Sequence, residues 1–237
     1  MKRQFITKQF LSGLVVLALG LALSFFPALA QAAPVLDFGI VAPTTGTISY
    51  AGGASPLVGS GIEVDNITGI GTPSNNGVTV TCVSCTLNFT TGNLTSSTAT
   101  TWNFGGGGSI TITGGVDLIP GGAPEIPVGT TLLSGSFDGA SVTKTNNTFR
   151  IAGASFVDTK DEDLLDFYGA PNTLWRGGFN ISFLANGSPP NSFTSTTVLS
   201  GDVANTEPIP EPASLVLLGS GLFSLGAYAR KKFSLKS

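Results

Sequence analysis

Histidine is absent from all 237 residues. That removes Ser-His-Asp and Cys-His nucleophilic catalysis, most zinc sites and the usual acid/base group near neutral pH. Charge is scarce too: Asp, Glu, Lys and Arg make up 11% of the chain. Cysteine occurs twice, methionine once and tryptophan twice. Basic residues are rarest in the middle. Between residues 33 and 207 only Lys144, Arg150, Lys160 and Arg176 are basic, against thirteen acids, for a formal charge of −9. Nucleic-acid binding needs a basic patch to displace phosphate counterions, so no nucleic-acid partner is expected.

Long apolar runs occur only at the two ends. Lys2, Arg3 and Lys8 precede the apolar stretch Phe10–Phe26, which Pro27 breaks. Small-x-small patterns follow at Ala28-Leu29-Ala30 and Ala30-Gln31-Ala32. This is the layout of a cleavable secretory signal, and we place it at residues 1–32, with a helical apolar core. At the other end, Pro210-Glu211-Pro212 precedes an uncharged, mostly apolar run from Ala213 to Ala229. Arg230, Lys231 and Lys232 follow at once. Seventeen helical residues reach ~26 Å, enough for a single transmembrane helix over 213–229. The basic cluster would act as a membrane stop on the cytoplasmic side.

This order of parts resembles the PEP-CTERM sorting tail of bacterial surface proteins. The resemblance covers residues 208–237 and is silent about the rest of the chain. It implies a processing partner, the membrane protease exosortase, which would read Pro210, Glu211 and Pro212. It also implies transient residence in the inner membrane, then removal of the tail. The body would pass to the cell surface or the exopolysaccharide matrix. A plain carboxyl-terminal membrane anchor is the simpler alternative.

Between the ends, residues 33–207 suit one exported domain. The dominant signal is period-2 alternation in short runs. Val78, Val80 and Cys82 share one face; Thr79 and Thr81 share the other. Trp102 and Phe104, Ile110 and Ile112, Phe149 and Ile151, and Phe179, Ile181 and Phe183 repeat the pattern. Gly105–Gly108, Gly114-Gly115, Gly121-Gly122 and Asp138-Gly139 punctuate it. Short strands with one apolar and one Thr/Ser/Asn face predict an antiparallel sheet with a wet side. The expected fold is all-β: an antiparallel β-sandwich of jelly-roll type. One short helix is predicted over Asp161–Tyr168, where acids open an apolar segment.

Few constellations carry chemistry. In an oxidising compartment Cys82 and Cys85 are expected to form a disulfide, and the flanking residues read as arms of a tight hairpin. Zinc would need more ligands than two thiols. Asp158, Asp161 and Asp163 are candidate oxygen ligands for Ca²⁺. Lys160 stands where an EF-hand ligand belongs, and a solvated helix N-terminus explains the same acids. No other cofactor is expected. A glycosidase would need two carboxylates at working separation, from a set such as Asp65, Asp117, Asp138 and Asp158. Trp102, Trp175, Tyr50 and Tyr168 could form a platform for sugar rings, but in a chain this poor in large aromatics core is the favoured role. The reading that follows is a non-enzymatic surface or matrix protein. A carbohydrate-binding adhesin is the first alternative and a secreted carbohydrate-active enzyme the second.

Overall fold

Alternation of apolar and polar residues forces each strand to bury every second side chain. Ten strands follow that rule in the computed structural model, which describes residues 33–207. They are β1 (Val35–Ile40), β2 (Thr47–Tyr50), β3 (Pro56–Ile70), β4 (Thr79–Ser97) and β5 (Thr101–Phe104). There follow β6 (Gly107–Asp117), β7 (Ile126–Thr145), β8 (Thr148–Lys160), β9 (Trp175–Ala185) and β10 (Phe193–Thr206). One helix, α1 (Glu162–Tyr168), joins β8 to β9. The segments read as a signal (1–32), sorting motif (210–212), transmembrane helix (213–229) and basic stop (230–232) lie outside the described residues. Among the described residues no helix is long and apolar enough to cross a membrane.

Every pairing is antiparallel, and seven of the twelve join consecutive strands. β1 and β2 lie end to end along β3, Val35–Gly39 against Asn66–Ile70 and Thr47–Tyr50 against Leu57–Ser60. β5 and β6 share one position between β4 and β7 in the same way. β7, β8, β9 and β10 then pair in turn. The circuit closes where Val35–Ile40 of β1 pairs with Gly201–Thr206 of β10. Ten strands therefore fill eight positions of a closed meander. The all-β antiparallel expectation stands, but the jelly-roll sandwich does not. A jelly roll needs Greek-key crossings, whereas here the eight sheet positions follow one another in chain order around the circuit. Alternation alone cannot separate the two, because both bury one face of each strand.

The inward positions are mainly apolar and packed with aromatic rings. Trp102 stacks on Phe149 at 5.3 Å between ring centres and meets Phe193 edge-on at 4.9 Å. Tyr50 meets Phe104 at 5.3 Å in the same region. A second aromatic group joins Phe179 to Phe89 at 5.1 Å and to Phe137 at 5.7 Å. Outward positions carry Thr, Ser and Asn. A membrane barrel has the reverse arrangement, with its apolar band outside.

Helix α1 forms where the sequence predicted it. The Asp161 side chain caps it by accepting from the Leu164 N–H at 3.2 Å. Gly169 ends it in the left-handed conformation at φ 63°, which glycine adopts without penalty. Its buried face is Leu164, Leu165 and Tyr168. The Tyr168 hydroxyl reaches Ile67 O at 2.9 Å and Val78 O at 3.1 Å. Gly69 makes room for this ring, since a Cβ there would overlap it. The β3–β4 turn holds the end of the helix through Ser74 N–H to Tyr168 O at 2.9 Å and Asn75 Nδ2 to Phe167 O at 2.7 Å.

Tyr168→Phe keeps the packing and removes the donor shared by two backbone carbonyls. We expect a loss of about 1–2 kcal/mol in unfolding free energy, read as a lower urea midpoint with unchanged slope.

Candidate functional site

Strand β8 carries its alternation past the apolar residues. Phe156, Asp158 and Lys160 all point inward, and all are buried. Asp158 lies opposite Trp175 of β9. On β10, Val203 and Asn205 are also interior, and Asn205 lies opposite Gly177. A Cβ on Gly177 would overlap both the Asn205 carboxamide and the Phe156 ring, so glycine is required for the approach. Registers on three strands thus gather a carboxyl, an amine and a carboxamide inside the sheet.

The groups bond to one another. The Lys160 ammonium donates to Asp158 Oδ1. Asp158 Oδ2 accepts from Asn205 Nδ2 at 2.6 Å. Lys160 Nζ also stands over the Trp175 ring, 4.5 Å from its centre. Asn205 Oδ1 has no partner, although the residue is 0% exposed. Burial pushes the Asp158 carboxyl up, against the opposing pull of Lys160. Burial also lowers the Lys160 amine to about 8, opposed by Asp158. Both directions disfavour the charged forms, as desolvation requires.

A second feature is an open depression of about 400 Å³ lined by Leu118, Glu125, Ile126, Asp163, Asp166 and Phe167. Glu125 Oε2 accepts from Leu118 N–H at 2.8 Å and Ile119 N–H at 3.2 Å. Hydrogen bonds from backbone N–H groups, its own first, hold the Glu125 carboxyl below its usual value.

The candidate Ca²⁺ ligands are not brought together. Asp158 faces the interior, Asp161 caps α1, and Asp163 lines the outer depression. Among the described residues no group of three His, Cys, Asp or Glu is placed to hold a metal. The carboxylates weighed for glycosidase chemistry are likewise dispersed. Asp65 accepts from Val41 N–H, Asp138 faces Arg176 at 3.8 Å, and Asp158 is inside.

Trp102, Trp175, Tyr50 and Tyr168 take the core role favoured from the sequence and not that of a sugar platform. All four rings are core, each at most 1% exposed. Their polar ends are satisfied internally: Trp102 Nε1–H donates to Asn191 O and the Tyr50 hydroxyl to Gly53 O. Cys82 and Cys85 are joined in a disulfide. It does not close a hairpin turn. Both cysteines belong to β4, where register shifts against β3 and β6 mark a bulge, and Ser84 takes φ 54°. The bridge pins that bulge within one strand.

From the sequence, Asn205 has no assigned role and Lys160 is only an obstacle to a Ca²⁺ loop. The signal was present, because Phe156, Asp158 and Lys160 keep period 2, as do Val203 and Asn205. Charge drew attention to the neighbouring acids instead.

These features define an all-β body with a closed, filled interior. Residues 208–232 match the family model described as the PEP-CTERM protein-sorting motif. The chain therefore carries a PEP-CTERM sorting tail behind that body. Comparison with curated proteins and with solved structures gave no match.

Two outcomes follow. Asp158→Ala strands the Lys160 amine inside without its counter-ion, and we expect a loss of about 3–5 kcal/mol, measured by urea unfolding. Asp37 gives the opposite sign. Burial first, and then the Asp202 carboxylate, raises its carboxyl above 3.8. Its ionisation is therefore disfavoured in the fold. Asp37 is only partly buried, so its remaining solvent contact weakens the effect. Asp37→Asn should raise stability at pH 7 by a few tenths to about 1 kcal/mol. The gain should vanish below pH 3.8, where the aspartic acid is neutral in both states.

Proposed function

We propose that this protein is a structural, non-enzymatic component of the cell surface or exopolysaccharide matrix, delivered there by its tail. The sorting motif at residues 208–232 carries the reading. That motif supports export and sorting by exosortase. In our reading the signal at 1–32 directs the body outward, the apolar run 213–229 holds it in the inner membrane, and cleavage near Pro210-Glu211-Pro212 releases it.

The composition of the body favours a structural role. Of its four basic side chains, Lys144 bonds to Gly187 and Ser188, Lys160 to Asp158, and Arg176 faces Asp138, and it contains no histidine. The large aromatics that a lectin would display are spent on the core. What faces outward is a dense array of Thr, Ser and Asn on paired strands, able to hydrogen-bond to hydrated polysaccharide without a dedicated pocket. Exopolysaccharide is thus the proposed environment, and exosortase the proposed processing partner.

Peptide mapping of the protein recovered from the host's surface fraction tests this. The mature form should end near the motif and lack Arg230, Lys231 and Lys232. Glu211→Ala should hold the full-length chain in the membrane fraction. An intact tail on the surface protein would replace our reading with that of a plain membrane anchor.

A further inference from the structure

The interior trio has a composition that permits a covalent reaction. Lys160 supplies a primary amine, Asn205 a carboxamide carbon, and Asp158 a carboxyl group bonded to both at once. All three are at least nine-tenths buried, and the Asn205 carbonyl oxygen is unpartnered. We propose that Lys160 and Asn205 join in an intramolecular amide bond, formed with the help of Asp158 and the release of ammonia.

The step balances within the protein. A proton passes along the existing hydrogen bond from the Lys160 ammonium to Asp158, leaving a free amine beside a neutral carboxyl. The amine lone pair attacks Cγ of Asn205. A half-turn of the carboxamide places Oδ1 against the Asp158 proton, which offsets the charge growing on that oxygen. Asp158 then takes a proton from Nζ and returns one to Nδ2. The Cγ–Nδ2 bond breaks as the Nζ–Cγ bond is kept. The Lys160 ammonium, the Asp158 carboxylate and the carboxamide become one secondary amide, one neutral Asp158 carboxyl and one ammonia, because Asp158 keeps the proton that Lys160 first gave it. No oxidant or cofactor enters.

The surroundings favour this course. Burial that lowers the amine and raises the acid supplies the neutral forms the reaction needs. Fixed positions on β8 and β10 replace a collision with an intramolecular encounter. Trp175 and Phe156 pack around the groups and exclude water from the acyl carbon. The product also removes a buried ion pair, which is expensive to keep desolvated, and gives a neutral amide in its place. The link would run inside the sheet from β8 to β10, spanning α1 and β9, and is independent of where the tail sends the protein.

Trypsin digestion of the purified full-length protein, shown folded by near-UV circular dichroism, decides the matter. We expect residues 151–176, uncut at Lys160, joined to the segment that begins at Gly177 and contains Asn205. The mass should be the sum of the two less one ammonia. Lys160→Arg keeps a cation for Asp158 and should yield only linear peptides. Asp158→Asn should slow joining about a hundredfold. Folded wild-type protein that is cut after Lys160, with Asn205 intact, overturns the proposal. So does a product less one water that links Lys160 to Asp158.

Discussion

Pairing of β10 with β1 is the contact on which the rest of the body depends. An open sheet of this composition would expose two edges of unpaired N–H and C=O groups, ready to pair with another chain. Many natural sheets blunt such edges with lysine or other charge, and this body has almost none to place there. Closure solves the problem without charge, because every strand then has a neighbour on both sides. It also creates an inside, and that inside must be filled. Nine of the ten phenylalanines and both tryptophans between residues 33 and 207 occupy the alternating positions that closure turns inward. Shortage of charge, abundance of Thr and Gly, and an aromatic core are therefore consequences of one architecture.

Closure also explains the position of α1. A barrel has two ends, and the β8–β9 connection lays Leu164, Leu165 and Tyr168 over apolar interior at one of them. The Asp161 cap and the two carbonyls under the Tyr168 hydroxyl fix the helix there. Nearby, the sheet admits Asp158, Lys160 and Asn205 to its interior. An apolar set of the same volume would cost less desolvation. Charge retained at such a cost, in a chain that otherwise avoids charge, points to chemistry rather than to packing.

Much of this was legible in the sequence, in proportion to how local the signal was. Period-2 runs gave the strands around Val80, Trp102, Ile112, Phe149 and Ile181, and the acidic start of α1 gave the helix and its cap. The closed meander was not legible, because Phe38 opposite Val203 across the closing pair is a contact 165 residues apart that alternation does not encode. The cysteine pair misled in one respect. A short C-x-x-C between apolar residues reads as a turn, but a bulge with Ser84 at positive φ brings the two sulfurs together inside a strand. Asp158 misled more. Its neighbours in sequence are acids, whereas its neighbours in space are Lys160, Trp175 and Asn205.

The tail and the body divide the information in the chain between them. A sorting motif is a short linear pattern of residues, so it is recognisable from 25 residues (208–232) whatever precedes it. The body must instead satisfy conditions that bind distant residues to one another: closure and a filled interior. Such conditions constrain pattern rather than identity, because many apolar residues can occupy an inward position. Physical conditions of this kind can be met by chains with no residue motif in common, whereas the interior trio depends on particular atoms. It is at Lys160, Asp158 and Asn205, rather than on the Thr-rich surface, that substitution by a residue of similar size would change what the body can do.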